Sequence, residues 1–202
     1  MISFRGHLDH QTHVNETYNY LAITAIKPVS FVEMNPYDRD DRQTLNSVKR
    51  IYGSWGPDAS LINDIFQYEG QSHNNMRSRY FVLSEQLHDF KKIMPSTVLS
   101  VMKTTDMDRK NVFIDMLQVN PWYVFNRRWD PTKNAPISQF KHCGMASLDS
   151  LKKIFSDKNL WINVPAPLID YFKYNGFQII KKASAMGDAL MEFTRPLRKV
   201  AK

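Results

Sequence analysis

The sequence predicts a single α/β domain, in which strands and helices alternate around one core. An apolar run over residues 112–121 is typical of a buried strand, a helix with an apolar stripe follows over 145–155, and a second strand follows at 160–164. Of the 202 residues, 43% are hydrophobic and 12% are aromatic, which is enough for one substantial core. We therefore expect one globular domain without an internal linker.

Composition narrows the class of partner. The chain has 27 Lys and Arg residues against 20 Asp and Glu residues, a formal charge of +7, which favours anionic partners without choosing among nucleic acid, acidic surfaces and cofactor phosphates. Its single cysteine, Cys143, excludes an internal disulfide framework and a Cys-rich zinc site. The first residues have no apolar core of the signal-peptide kind, and no later run is long enough to span a bilayer. We therefore expect a cytoplasmic protein without a membrane partner.

Polarity divides the chain into three parts. Residues 1–18 are polar and predict a solvated N-terminal arm, residues 19–195 form the domain, and residues 196–202 form a basic tail. The arm contains four side chains that are potential metal ligands, which are His7, Asp9, His10 and His13. It lacks a cysteine and any recognised metal-site frame, so we expect no metal.

The first part of the domain predicts strands followed by helices. Extended, β-branched segments at 20–26 and 29–34 are separated by Pro28, and one of them should be the first strand of the sheet. Apolar residues at helical spacing then predict a helix that ends near Gly53 and a second helix over 61–66.

The remaining elements are short. Apolar runs at 80–83 and 98–102 predict two strands, and the second is joined to the central strand by a polar turn, as in a hairpin. A short helix is predicted over 168–175, between a proline and a glycine. Strands at 177–180 and 189–193 predict a closing hairpin.

The joint between the central strand and the following helix is a candidate phosphate site. A helix N-terminus presents unpaired N–H groups and the positive end of the helix dipole. Gly144 and Ala146 would let a ligand approach the backbone closely. A glycine at such a joint also serves packing between helix and strand, so both interpretations stand for this segment taken alone.

The order of elements around this joint resembles a known family. A strand, the sequence Lys141-x-x-Gly144-x-Ala146, a helix, a strand, a short helix and a closing Gly176-Phe177 follow one another. This order resembles the GCN5-related N-acetyltransferases, whose acyl-CoA loop reads Arg/Gln-x-x-Gly-x-Gly/Ala, and it covers roughly residues 76–195. The resemblance implies a three-layer α/β fold, with a mixed and mostly antiparallel sheet flanked by helices. It also implies acyl transfer from acetyl-CoA to an amine.

The resemblance further implies where acetyl-CoA would bind. The central strand splays from its neighbour at a bulge in this family, and its backbone pairs with the pantetheine arm as an added strand would. The corresponding residues are Leu117, Gln118 and Val119. The pyrophosphate would bind the loop formed by Lys141, His142, Cys143, Gly144, Met145 and Ala146. Lys141 brings positive charge but lacks the two-pronged hydrogen bonding of arginine.

Asp115 is the candidate catalytic base. It is the one ionisable side chain inside the apolar central strand. If it faces the cleft, partial burial would raise its pKa and let it accept a proton from an attacking ammonium, directly or through water. A carboxylate that accepts a hydrogen bond from a neighbouring loop explains this residue equally well.

The candidate acid is less clear from the resemblance. Members of the family carry a tyrosine four residues before the closing glycine, where its hydroxyl protonates the departing thiolate. Here that position is Phe172, and Tyr171 is displaced by one residue, a rotation of about 100° around a helix. Tyr171 should therefore point elsewhere, and Tyr174 is the stand-in. Pro165 also stands where asparagine is common in the family.

An insertion over residues 121–140 departs from the family pattern. It places aromatic rings beside adjacent arginines at Arg127, Arg128 and Trp129. Such a mixture can stack bases and pair with phosphates, hold an adenosine phosphate, or cover a sheet edge. Two alternatives to an enzyme therefore stand: a catalytically degenerate interaction module, and a nucleic-acid-binding protein that uses this insertion. The amine acceptor, whether a small molecule, a peptide or an aminoacyl-tRNA, stays open.

Overall fold

The computed structural model describes residues 7–19, 22–53, 78–85, 93–120, 128–130, 135–137, 140–182 and 187–194. The strands in these ranges are β1 (His7–Asn19), β2 (Ala22–Met34), β3 (Ser78–Ser84), β4 (Val98–Asp106), β5 (Asn111–Val119), β6 (Arg128–Asp130), β7 (Ala135–Ile137), β8 (Phe140–Lys141), β9 (Asn159–Val164), β10 (Gln178–Lys182) and β11 (Ala189–Phe193). The helices are α1 (Arg39–Gly53), α2 (Cys143–Ile154) and α3 (Ile169–Tyr174). Short 3-10 turns cover Pro95–Thr97 and Ala166–Leu168.

Nine of the strands form one mixed sheet, in the order β10-β11-β9-β5-β4-β3-β2-β1-β8, while β6 and β7 form a separate pair. The central strand β5 is parallel to β9, and α2 makes the crossover between them. The other neighbouring pairs in the described part are antiparallel. The predicted mixed and mostly antiparallel sheet is confirmed, and so is the predicted order of strand, helix, strand and short helix after residue 111.

Helices cover both faces of this sheet. On one face, α1 packs in a cluster whose members include Val32, Leu45, Val48, Val82 and Val101. On the other face, α2 and α3 pack in a second cluster, whose members include Phe31, Phe81, Leu83, Leu148, Leu151, Phe172 and Phe177. Removal of these side chains from water stabilises the fold by about 1.5–3 kcal/mol for each large one. The result is the three-layer arrangement that the resemblance implied.

The start of α1 is fixed by Asp38. Its Oδ1 accepts hydrogen bonds from the N–H groups of Asp40 at 2.9 Å and Asp41 at 3.2 Å. A carboxylate at this position satisfies donors that have no partner within the helix. The predicted end of this helix near Gly53 is confirmed. The second helix predicted over 61–66 lies outside the described residues.

The end of α3 is fixed by Gly176, whose φ is +85°. The N–H of Gly176 donates to the carbonyl of Lys173 at 2.9 Å, and the N–H of Phe177 donates to that of Phe172 at 3.0 Å. This pair of bonds is the Schellman motif, which needs a left-handed residue just after the helix. It turns the chain directly into β10 and places Phe177 in the core.

The N-terminal expectation requires a correction. Residues 7–18 do not form a solvated arm, because they lie in β1, which pairs with β2 from His7 opposite Glu33 to Asn19 opposite Ala22. A strand near the edge of a sheet is held by its backbone hydrogen bonds and tolerates polar side chains, so polarity alone was misleading here. Residues 1–6 and 195–202 lie outside the described part, and the division at 195 stays a prediction.

Pro28 does not separate two strands, as the sequence suggested, because β2 continues through it and pairs Pro28 with His13. A proline cannot donate a backbone hydrogen bond, and it is tolerated where a strand has one neighbour. Strand β3 pairs with β2 only over Ser30–Met34. In the described part of the chain, β2 therefore has only β1 beside it at Pro28.

Candidate functional site

The centre of the sheet splays between β5 and β9. These strands pair from Asn111 and Asn159 as far as Ile114 and Ile162. Beyond that point β5 continues beside β4 and β9 continues beside β11. In the described residues, the segment Leu117–Val119 therefore has a strand neighbour on one side only. An extended ligand could use its other side, as peptides do when they add a strand to a sheet edge.

A bulge in β5 lies where the splay begins. The register between β4 and β5 shifts between Lys103, which pairs with Met116, and Thr104, which pairs with Ile114. Asp115 is the extra residue, so this strand bends at that position. The Asp115 side chain is exposed, and its Oδ2 accepts a hydrogen bond of 2.7 Å from the Thr105 hydroxyl. The bulge thus presents a carboxylate at the surface of the sheet.

The surroundings of the bulge shift the pKa of the Asp115 carboxyl. Although solvent reaches the carboxylate, the atoms packed around it raise the pKa of Asp115, and this effect exceeds the opposing effects of the Thr105 hydrogen bond and the positive charge of Lys103. Lys103 is itself buried, with 8% exposure, and its Nζ lies 5.8 Å from the centre of the Tyr80 ring. A lysine directly after the apolar run of β4 is a signal in the sequence that our prediction did not use.

The loop before α2 has a strained backbone. His142 has φ 65°, in the left-handed region, where a residue with a side chain costs about 1–2 kcal/mol. Its carbonyl accepts the first helical hydrogen bond, from the N–H of Ala146 at 2.9 Å. The N–H groups of Cys143, Gly144 and Met145 come before this first helical bond in the chain, so the helix itself offers them no acceptor. A left-handed residue followed by a helix start directs such N–H groups together, which is an arrangement that binds anions.

Cys143 has a packing role in this loop. The side chain is buried, and burial raises the pKa of its thiol to about 12. The thiol is therefore protonated at neutral pH and has little nucleophilic character. Ser147 donates a 2.9 Å hydrogen bond to the Cys143 carbonyl and so accepts the 2.6 Å bond from Ser100 of β4. This buried pair of hydroxyl groups fixes α2 on the sheet, and sequence reasoning missed it.

Gly144 is where α2 meets β5 and α3. A Cβ at this position would lie 2.7 Å from the Tyr171 hydroxyl oxygen and 3.5 Å from Cγ2 of Val119. The first distance is too short for a carbon atom, so a side chain at this position would displace the Tyr171 ring. Packing is therefore one role of this glycine. The contact also brings together three predicted site residues, Val119, Gly144 and Tyr171.

The two tyrosines of α3 have different surroundings. Tyr171 is partly buried, and burial together with the negative charge of Asp149 and the nearby Cys143 raises its pKa to about 12, so the phenol is protonated at neutral pH. Tyr174 is 80% exposed. Phe172, at the position where the family has tyrosine, is in the core with 4% exposure.

Tyr171 and Asp115 lie at opposite ends of the splayed segment. Val119, which lies near the same glycine as Tyr171, is four residues beyond Asp115, or about 13 Å along an extended strand. The structure therefore brings Tyr171 to the start of α2 and does not bring Asp115 there. Catalytic roles for Asp115, Tyr171 and Tyr174 stay predictions.

Other predicted site features lie partly outside the described part. The backbone of Lys141 ends β8, where it pairs with Asn15, but its side chain lies outside that part. Arg127 lies wholly outside the described part. The backbones of Arg128 and Trp129 are in β6, but their side chains lie outside that part. Among the described residues, no group of three His, Cys, Asp or Glu side chains could hold a metal ion. No helix in the described ranges is long and apolar enough to cross a membrane.

No protein-family profile matches the sequence, and comparison with curated proteins finds no match either. The solved structures that resemble the chain include acetyltransferases. Gcn5 of Tetrahymena has 14% sequence identity and a TM-score of 0.49, over 80% of this chain and 93% of its own. A PaiA N-acetyltransferase of Thermoplasma acidophilum, in complex with coenzyme A, has 14% identity and a TM-score of 0.45, over 76% and 94%. Ard1 of Thermoplasma volcanium has 15% identity and a TM-score of 0.46, over 81% and 95%.

The described part of the sheet has one parallel strand pair at its centre, a bulge at Asp115 and a splay beyond Ile114. These features are the ones that the sequence resemblance implied. In the order of its elements and in the splay of its central strands, the chain is similar to the GCN5-related N-acetyltransferases.

Proposed function

We propose that the chain is an acyl-CoA-dependent N-acetyltransferase, which transfers an acetyl group from acetyl-CoA to an amine. The observation that carries the proposal is the splay, because a three-residue stretch of β5 with one strand neighbour leads to the N-terminus of α2. An edge of this kind suits an amide-containing arm, and a helix N-terminus suits a phosphate at the end of that arm. Acetyl-CoA has both an amide-containing arm, which is its pantetheine, and a phosphate group at the end of that arm.

The direction of the bound ligand follows from this arrangement. Its pyrophosphate would lie at residues 141–146, beside the N–H groups that start α2. Its pantetheine amides would pair with the backbone of Leu117–Val119. The thioester would then lie toward the bulge at Asp115, since that is the other end of the splayed segment. From Asp115 to Val119 the strand spans about 13 Å, a distance that suits a pantetheine arm rather than a short acyl group.

The reaction would need few protein groups. The amine nitrogen attacks the thioester carbonyl carbon, the carbon–sulfur bond breaks, and the amine loses a proton while the thiolate gains one. We assign to Asp115 the role of accepting the proton that the amine loses, because its accessible carboxylate has a raised pKa and sits at the thioester end. Tyr171 lies at the pyrophosphate end, so we assign it to contact with the cofactor, and water supplies the proton to sulfur. The acceptor amine stays open.

Calorimetric titration with acetyl-CoA tests the proposal. We expect micromolar binding by the full chain and at least about tenfold weaker binding by Lys141→Glu, which reverses a charge beside the phosphate loop. Lys153→Glu is the matched control, because it makes the same charge change on the exposed far end of α2. No binding at millimolar acetyl-CoA would exclude the proposal. Binding without transfer to any amine in a broad panel would instead indicate a degenerate binding module.

A further inference from the structure

A stripe of cationic and amide side chains runs along the outer face of α1. Six residues of this helix line a groove of about 290 Å³. They form the arginine stripe, which consists of Arg39, Arg42, Gln43, Asn46, Ser47 and Arg50. Their spacing of three and four residues places them on one face of a helix. The three arginines are about 16 Å apart from first to last.

The stripe faces solvent while the opposite face of α1 is buried. Arg39, Arg42 and Arg50 are exposed, whereas Leu45 and Val48 are each only 1% exposed. Within the described part of the chain, none of the three guanidinium groups makes an ion pair. Three cations in one groove, which have no ion-pair partner in the ranges that the structure describes, attract an anionic partner and repel one another without it.

We propose that the arginine stripe binds the sugar–phosphate backbone of single-stranded nucleic acid. Arginine, asparagine, glutamine and serine side chains are the groups that proteins use for phosphate and sugar contacts. The groove presents all four types, and its length allows contact with several successive phosphates. This surface is separate from the acetyl-CoA site, so the inference does not rest on the proposed function.

An exposed aromatic ring stands at the start of the stripe. Tyr37 precedes Arg39 by two residues and is 90% exposed. An exposed ring near cations is the arrangement on which unpaired bases stack. This observation favours a single strand over a duplex, whose bases are already stacked.

The structure argues against an anionic membrane as the occupant. A helix that lies on a bilayer inserts an apolar face between the lipid headgroups. The apolar face of α1 is packed in the core, and its exposed stripe has no apolar side chain. A lipid surface could therefore attract this groove only through its negative charge, without insertion of an apolar face.

Fluorescence anisotropy with a labelled single-stranded RNA of about 12 nucleotides tests the proposal. The variant is Arg42→Gln/Arg50→Gln, which keeps the helix propensity and removes two charges. The matched control is Lys181→Gln/Lys182→Gln, which removes two exposed charges at β10, on the opposite edge of the sheet from β1 and β8. We expect the stripe variant to bind at least about tenfold more weakly, and the control to change by less than about twofold.

Salt dependence separates local contacts from overall charge. Three phosphate contacts give a slope of about −2 for log affinity against log salt, and the stripe variant should reduce its magnitude by about 1.4. Equal losses in the stripe variant and the control would overturn the proposal, since net charge alone would then explain binding. Absence of RNA binding, with or without binding to phosphatidylserine vesicles, would also overturn it.

Tyr37→Ala tests the stacking step. We expect at least about fivefold weaker binding to RNA and no change with an abasic oligonucleotide of equal length, which has the phosphates but no bases. An equal loss with both ligands would overturn the stacking role. Because neither measurement uses acetyl-CoA, failure here is distinguishable from failure of the proposed function.

Discussion

The two ends of the splayed part of β5 are built in different ways. At one end, Asp115 is reached by solvent and its carboxylate bonds to Thr105. At the other end, Tyr171 and Val119 lie against Gly144, so a side chain there would have to displace the Tyr171 ring. The first is polar and accessible, which suits the proton transfer that we propose. The second is tightly packed, which suits the cofactor binding that we propose. The comparison suggests that chemistry and cofactor binding can be changed separately.

The largest expected effect is at the accessible end. Asp115→Asn should reduce kcat by about 10²–10⁴-fold, because a general base contributes that much. Its affinity for acetyl-CoA should stay unchanged, because binding belongs to the other end. The readout is acetyl-CoA turnover with an amine identified by screening. Asp157→Asn, which changes an exposed carboxylate after α2, is the control and should keep full activity.

The pH dependence of kcat/KM tests the same role of Asp115. Asp115 acts only when ionised, and its pKa is raised, so kcat/KM should rise with pH as the carboxylate loses its proton and then level off. The raised pKa also means that ionisation of Asp115 costs stability, so the cost is absent at low pH and is incurred as pH rises through that pKa. Asp115→Asn should therefore be no less stable than the original chain at neutral pH. A large loss of stability would indicate a structural carboxylate instead.

The next effect concerns the packed end. Gly144→Ala should lower the free energy of unfolding by about 1–2 kcal/mol, since the new Cβ would overlap the Tyr171 hydroxyl oxygen. In a Tyr171→Phe background this oxygen is absent, and the same change should cost less than about 0.5 kcal/mol because alanine is the better helix former. Urea unfolding of the four chains measures the coupling. Equal costs in both backgrounds would show that the contact is unimportant.

A smaller effect links Lys103 to the accessible end. Its positive charge lowers the pKa of Asp115, so Lys103→Met should raise that pKa further and move the rising limb of the pH profile to higher pH. The loss of activity on the acidic side should be below about tenfold, and activity at high pH should recover. Lys110→Met, in the exposed turn before β5, is the control for general charge loss. An unchanged pH profile would show that the charge of Lys103 does not affect the pKa of the catalytic group.

The sequence predicted the packed elements better than the contacts between them. Strands at 80–83 and 160–164 were found because apolar side chains mark buried strands. Strand β1 was missed because backbone pairing with β2 holds a polar segment that has no apolar signal. The periodicity of apolar residues shows which face of a segment is buried. It does not show that a polar segment such as β1 pairs with a neighbouring strand.

The candidate site was predictable only in part for a related reason. The position of Asp115 in the apolar strand was visible in the sequence, but the bulge that presents it depends on the register with β4. The contact between Gly144 and Tyr171 joins two helices, so no local pattern encodes it. Phe172 is buried and Tyr171 is partly buried, since a step of about 100° separates neighbours on a helix. Whether Tyr171 points away from the place of the family's tyrosine stays a prediction.

The smallest expected effect tests whether the phosphate loop stores strain. His142→Gly should raise the free energy of unfolding by about 0.5–1 kcal/mol, because glycine adopts φ 65° without the side-chain penalty but loses more entropy on folding. Thermal unfolding measures this gain, and Ser156→Gly, at an exposed position outside the loop, should show none. If acetyl-CoA affinity also falls, the imidazole contacts the ligand, and if affinity is unchanged, the left-handed backbone is the functional feature. A loss of stability on His142→Gly would show that the side chain makes a stabilising contact that exceeds the backbone strain.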